Sequence, residues 1–76
     1  MNYSEILKIG ENLLKKYKIK NPHLDTELIL SKVLKKRREE IILNNNNNLK
    51  NKDIIKFNSY LLRRQQNEQI AYILGY

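Results

Sequence analysis

The sequence of 76 residues predicts an all-α fold, a small bundle of four to five helices. Apolar residues recur at spacings of three and four along most of the chain, as they do on one face of an α-helix. The segments with this spacing are separated by short polar stretches that carry helix-start and helix-stop residues. One apolar segment, residues 41–43, is too short to distinguish helix from strand, but the chain offers it no partner strand. We therefore expect helices throughout.

The first helix is predicted to begin after Asn2, because Asn2 and Glu5 have the spacing of a capping box. Gly10 lies on the apolar stripe of this helix, where glycine costs about 1 kcal/mol of helix propensity relative to alanine. Either this cost is tolerated, or another helix crosses closely at Gly10. The other residues of the stripe are Tyr3, Ile6, Leu7, Leu13, Leu14 and Tyr17.

The second helix is predicted to begin at Asn21 and Pro22, a capping residue followed by a proline that suits the first helical position. Asp25 and Glu27 lie near the positive end of the helix dipole, and lysines lie near its negative end. Its apolar residues cover more than one stripe, which predicts a central helix packed on two sides. They are Leu24, Leu28, Ile29, Leu30, Val33 and Leu34.

Three further elements complete the predicted bundle. A short helix contributes Ile41, Ile42 and Leu43, and the asparagine tract at residues 44–48 then forms a solvated loop, since asparagine favours turns. A short last helix ends at Gly75 through a left-handed cap. Between them, a helix from about Asn51 places one broad apolar face toward the core, formed by Ile54, Ile55, Phe57, Leu61 and Leu62.

Length and composition limit the possible functions. A chain of 76 residues forms one domain at most and buries only about 60 to 65% of its unfolded surface, which argues against a deep catalytic cleft. The chain has no cysteine and one histidine, His23, so disulfides, thiolate nucleophiles and ordinary zinc sites are not expected. We expect no catalytic, cofactor-binding or metal site within these residues. No transmembrane segment or signal peptide is predicted, and the expected location is cytoplasmic.

The net charge of +7 would suit nucleic acid, an acidic protein or an anionic membrane. The charge is spread evenly, however, and the abundance of lysine and asparagine is typical of an AT-rich genome. Solvated surface lysines therefore explain the larger share of it.

Two basic runs are the candidates for partner binding. The run at residues 35–38 is the densest, but Glu39 and Glu40 cancel half of it, and the signature of a helix-turn-helix is missing. In the second run, one arginine could bridge back to Asp25 or Glu27, and Asp25 with Arg64 is the candidate structural ion pair. The candidate partner-binding residues are Lys35, Lys36, Arg37, Arg38, Arg63 and Arg64.

Two blocks of sequence, in this order and at this spacing, resemble the N-terminal region of the PrmC/HemK release-factor glutamine methyltransferases. The first block matches at Leu24, Asp25, Glu27, Leu28, Ile29 and Leu30. The second matches at Arg63, Arg64, Glu68, Ala71, Tyr72, Ile73, Leu74 and Gly75. The resemblance extends from about Glu11 to Gly75, and it departs from the family at Asn67 and Gln69, where glycine and proline are usual.

The resemblance implies that residues 1–76 form a single helical substrate-recognition domain that is not itself catalytic. The parent enzyme would be a protein-(glutamine-N5) methyltransferase whose Rossmann-like domain, absent from this chain, uses S-adenosylmethionine. Its substrate would be the glutamine of the Gly-Gly-Gln motif in class I peptide-chain release factors. The expected partners are the release factor and the C-terminal methyltransferase domain of the same chain, with no membrane partner.

Two other hypotheses stay open from the sequence. One is a free-standing basic helical module that binds nucleic acid, although we consider nucleic acid an unlikely partner. The other is a bundle that only stabilises or orients its neighbouring domain.

Overall fold

Five α-helices account for most of residues 1–75, the part of the chain that the computed structural model describes. The helices are α1 (Tyr3–Lys16), α2 (Pro22–Leu34), α3 (Arg38–Leu43), α4 (Asn51–Gln65) and α5 (Ile70–Leu74). No β-sheet is present among these residues, which confirms the predicted all-α fold. The bundle measures 29 × 25 × 22 Å.

Helix α1 begins with the predicted capping box. The Oδ1 atom of Asn2 accepts a hydrogen bond from the Glu5 N–H at 2.8 Å, and the Glu5 carboxylate accepts one from the Asn2 N–H at 2.8 Å. These bonds satisfy two amides that have no partner within the helix. The helix ends where Lys18 adopts the left-handed conformation, with φ of 60°. The Ile19 N–H then donates back to the Leu14 carbonyl, and the Ile19 side chain is buried against the core.

The asparagine tract is not only the solvated loop that the sequence predicts. Its side chains are exposed, but its backbone carbonyls complete the start of α1, since the Tyr3 N–H donates to Asn47 and the Ser4 N–H to Asn45, each at 3.0 Å. The Leu49 N–H donates to the Met1 carbonyl at 2.9 Å. The tract is therefore fixed by hydrogen bonds to the chain's first four residues.

Helix α2 is central, as predicted, because it packs against each of the other four helices. Ile29, Leu30 and Val33 are buried within it. The prediction was wrong at Leu24, which is exposed. The residues buried in the first turns are instead polar, namely Asp25, Thr26 and Glu27.

Gly10 marks the close crossing that the sequence left as one of two alternatives. A β-carbon at this position would lie 2.7 Å from Thr26 Cγ2 and 3.0 Å from Phe57 Cζ. Both distances are shorter than ordinary van der Waals contact. Glycine therefore lets α2 and α4 approach α1 more closely than any side chain would allow.

Two predicted apolar faces were too broad. In α3, Ile41 alone is buried, whereas Ile42 and Leu43 are exposed. In α4, Ile55 and Leu62 are exposed on the side opposite Phe57 and Leu61. These residues satisfy the helical spacing, but no helix of the bundle covers their side of α3 or α4.

Candidate functional site

Arg64, the last arginine of α4, is part of the fold rather than of the free surface. Its Nε donates to Asp25 Oδ2 at 2.8 Å, and its Nη1 donates to the Glu68 carbonyl at 3.0 Å. The side chains of Arg64 and Asp25 are only 15% and 6% exposed. Arg64 thus joins α4 to the first turn of α2 and to the segment that leads into α5.

Arg38 is likewise engaged within the bundle. It donates from both Nε and Nη2 to Glu27 Oε1, at 3.0 and 2.6 Å. The other oxygen of Glu27 lies 3.0 Å from Nε2 of His23, whose Nδ1 lies 3.2 Å from Glu11. These four side chains connect α1, α2 and α3. This cluster could not be predicted from the sequence, because Glu11 and Arg38 are each more than ten positions from the residue they contact.

The hydrogen bond to His23, together with the nearby Lys15 ammonium, lowers the pKa of Glu11 below its ordinary value of 4.5. Both neighbours favour the charged carboxylate over the neutral acid.

Arg63 forms an ion pair across the turn that follows α4. Its guanidinium binds the Glu68 carboxylate through both Nε and Nη2, with Nε at 3.1 Å. This contact lowers the pKa of Glu68 and raises the pKa of Arg63. Both side chains remain more than one-third exposed, so the pair orders the turn more than it stabilises the bundle.

Lys35 and Lys36 have a different environment, because they line a groove of about 480 Å³ between the end of α2 and the start of α4. Three further lysines reach the same groove from the segment that begins α4, with Asp53 as the acidic residue among them. We call this site the lysine groove. Its cationic residues are Lys35, Lys36, Lys50, Lys52 and Lys56.

The walls of the lysine groove are partly apolar. Tyr3, Val33 and Leu34 contribute to the lining, and Ile55 lies at its edge with 71% of its surface exposed. The Lys36 ammonium lies 3.5 Å from the Tyr3 hydroxyl and 5.8 Å from the centre of the Tyr3 ring. Tyr3 therefore helps to hold Lys36 at the groove wall.

Arg37 lies just outside the lysine groove. It is exposed and precedes α3, and its N–H donates to the Glu40 carboxylate at 3.4 Å. The structure therefore places only Lys35 and Lys36 of the six candidate partner-binding residues in the groove. The lysines at positions 50, 52 and 56 were not among the candidates predicted from the sequence. Their spacing shows that Lys52 and Lys56 share one face of α4, but only the packing of α4 on α2 places them opposite Lys35.

A second groove, of about 340 Å³, lies between α1, α2 and α3. Its ionisable residues include Glu11 and Glu27, each of which contacts a ring nitrogen of His23. Within residues 1–75, no group of three or more histidine and acidic side chains is arranged to hold a metal ion.

The sequence model of the PrmC N-terminal domain family matches residues 5–75. The chain belongs to this family. The family is the N-terminal domain of the PrmC/HemK methyltransferases, so the resemblance found in the sequence is confirmed. No curated protein and no solved structure gives a significant match to the chain.

The departure of this PrmC N-terminal domain at Asn67 has a physical explanation. Asn67 has φ of 69°, in the left-handed region that favours glycine. Asparagine tolerates this region better than most other residues do. Asparagine can therefore form this left-handed turn without a glycine.

None of the helices in residues 1–75 combines the length and the apolar character that crossing a bilayer requires.

Proposed function

We propose that this domain docks a class I peptide-chain release factor onto a methyltransferase. The catalytic domain, C-terminal in the same protein, would transfer a methyl group from S-adenosylmethionine to the glutamine of the Gly-Gly-Gln motif. In this proposal the domain itself holds the substrate protein and performs no reaction, and the enzyme acts in the cytoplasm. The observation that carries the proposal is the family match over residues 5–75.

The distribution of charge supports a docking role. Arg38, Arg63 and Arg64 bind carboxylates of the domain itself, so their charges are already paired. The lysine groove, in contrast, brings five cations together around a single aspartate. It is a surface suited to attracting an acidic partner and orienting it during encounter.

A docking domain contributes to catalysis by positioning the substrate protein. Contacts far from the reacting amide can supply binding energy that is used to orient the glutamine at the distant methyl-transfer site. Loss of such contacts is expected to raise KM for the protein substrate. The binding of the small methyl donor should change little.

Deletion of residues 1–75 from the full-length enzyme tests the proposal. We expect KM for the release factor to rise at least about tenfold, which corresponds to about 1.4 kcal/mol of lost binding, while Kd for S-adenosylmethionine changes less than about twofold. Isothermal titration calorimetry gives the Kd, and methylation kinetics give the KM. An unchanged KM would contradict the docking role.

The lysine groove also favours a second candidate function, the binding of nucleic acid. This function requires an affinity for DNA or RNA that falls steeply with salt, in proportion to the number of phosphates neutralised. Fluorescence anisotropy with a 20-base-pair DNA duplex and a 20-nucleotide RNA, at about 50 and 200 mM salt, measures this dependence. A purely structural domain would bind neither nucleic acid nor the release factor.

A further inference from the structure

We propose that the lysine groove binds an acidic segment of the partner protein that also carries an aliphatic side chain. This inference rests on the proposed docking function and adds to it the location of the contact and the chemistry of the segment recognised.

The lysine groove carries an excess of positive charge. Five lysines share it with one carboxylate, that of Asp53. Ammonium groups within a Debye length of about 8 Å repel one another at physiological salt, and an anionic partner would relieve that repulsion. Arg38 and Arg64 have carboxylate partners at 2.8 Å or less, whereas none of the five groove lysines forms a salt bridge with a carboxylate in the part of the chain that the structure describes.

Part of the positive charge of the groove opposes the stability of helix α4. Lys50 is the N-cap of α4, and Lys52 lies in its first turn. The N-terminal end of a helix carries a partial positive charge, where acids are favourable and cations unfavourable. Helix stability therefore gives no reason for lysines at these positions, whereas contact with an acidic segment does.

The apolar residues of the groove favour a protein segment over nucleic acid. Proteins that bind single strands combine positive charge with exposed aromatic rings on which bases stack. The aromatic residue of the groove is Tyr3, which is only 5% exposed and lies beneath Lys36. The exposed apolar contacts are aliphatic, with Ile55 at the edge and Leu34 partly buried. Such a surface fits a side chain such as leucine or isoleucine between acidic residues.

The groove also has a suitable size. Its volume of about 480 Å³ lies within the range of sites that enclose a small ligand, which is enough for a few side chains of a peptide. Lys52 and Lys56 of the lining are one helical turn apart on α4, so they can contact successive acidic residues of the same segment.

The test uses the 76-residue chain and an intact class I release factor as the probe. Three variants are compared with the wild type by calorimetry. Lys52→Glu/Lys56→Glu reverses the charge of two groove lysines and leaves three lysines facing three carboxylates, so that the groove has no net charge. Ile55→Ser removes its apolar edge, and Lys16→Glu/Lys20→Glu is the control. Lys16 and Lys20 are exposed at the end of α1 and in the following turn, outside the groove. Both charge reversals remove the same amount of positive charge.

We expect the groove reversal to raise Kd at least about tenfold and Ile55→Ser to raise it about threefold. The control should change Kd less than about twofold. Thermal unfolding monitored by circular dichroism checks that each variant is folded. If the groove and control reversals weaken binding equally, the attraction is only long-range and the inference is overturned.

Kinetics of the full-length enzyme distinguish the two proposals. If deletion of residues 1–75 raises KM but Lys52→Glu/Lys56→Glu leaves KM at the wild-type value, docking stands and the groove inference fails. If the deletion itself leaves KM unchanged, the docking function fails. A third outcome is that the domain binds the 20-nucleotide RNA but not the release factor, and that Lys52→Glu/Lys56→Glu abolishes the RNA binding. The groove would then be a nucleic-acid site, and the inference of a protein segment would be overturned.

Discussion

The two ends of helix α2 use charge in different ways. At its N-terminal end, Asp25 and Glu27 are nearly fully buried and are bound by Arg64 and Arg38. At its C-terminal end, Lys35 and Lys36 face three more lysines across an open groove. The first end joins α2 to α3 and α4 by ion pairs, and the second presents positive charge to solvent.

The charge of a residue in the sequence therefore does not show whether it stabilises the fold or is available to bind a partner. Arg38 and Lys36 belong to the same basic run, yet Arg38 reaches a buried carboxylate and Lys36 lies over an aromatic ring at the groove. The planar guanidinium suits a buried carboxylate, since it can donate two hydrogen bonds in a fixed geometry. Lysine keeps a flexible, hydrated charge that suits an exposed docking surface.

Loss of the buried ion pair at the N-terminal end of α2 should destabilise the domain most. Arg64→Met should lower the free energy of unfolding by about 3 kcal/mol, because Asp25 is left buried without its cation. Urea denaturation followed by circular dichroism measures the change. The matched control in the lysine groove is Lys56→Met, for which we expect a change within about 0.5 kcal/mol. Equal effects of the two variants would remove the distinction between the two ends.

A smaller loss of stability is expected from a variant at the close helix crossing at Gly10. Gly10→Ala should destabilise the domain by about 1 kcal/mol, since the overlap with Thr26 and Phe57 outweighs the gain in helix propensity. Thr26→Ser removes the methyl group at 2.7 Å and keeps the hydroxyl that donates to the Pro22 carbonyl. The double variant Gly10→Ala/Thr26→Ser should recover much of the loss. A double-mutant cycle from urea denaturation gives the coupling, and a coupling of zero would contradict the close crossing.

At the C-terminal end of α2, Lys35 allows stability and binding to be changed in opposite directions. Lys35 adopts the left-handed conformation with φ of 55°, where glycine is unstrained. Lys35→Gly should therefore stabilise the domain by about 0.5 to 1 kcal/mol while it weakens binding to the release factor. Lys18→Gly is the control, because Lys18 has φ of 60° but lies outside the groove. It should give a similar gain in stability without the loss of affinity, as urea denaturation and calorimetry will show.

The smallest effect concerns pH. The pKa of Glu11 in the folded domain lies below 4.5, so its ion pairs stabilise the fold fully above pH 4.5 and lose this contribution as pH falls through the folded pKa. Glu11→Gln should therefore be less stable than the wild type at pH 6, by an amount that shrinks toward pH 3. Lys56→Gln changes a residue type that does not titrate in this range, so its difference should stay constant. Urea denaturation measures the difference in unfolding free energy between Glu11→Gln and the wild type. If this difference does not change with pH, it does not come from the ion pairs of Glu11.

The helices could be predicted from the sequence because their start and stop signals are local. The Asn2 and Glu5 capping box and the cap at Gly75 involve residues a few positions apart. Burial was less predictable. Ile55 and Leu62 have the spacing of core residues, but whether another helix covers them depends on how α4 packs in the bundle.

The same reason limits prediction of the candidate site. Lys35 and Lys36 stand out in the sequence as a dense run, whereas Lys52 and Lys56 look like ordinary surface residues. Only the packing of α4 beside α2 brings the two pairs to one groove. Likewise, the pairing of Glu27 with Arg38 rather than with an arginine of α4 is decided by the position of α3.

The anchoring of the asparagine tract has a consequence for variation in its length. Homopolymeric stretches are sites where single residues are easily gained or lost, but here Asn45 and Asn47 are held by the amides of Ser4 and Tyr3. A shortened tract would have to give up at least one of these hydrogen bonds, whereas an added asparagine could bulge into solvent near Asn46. Natural variants of this domain should thus tolerate expansion of the tract more readily than contraction.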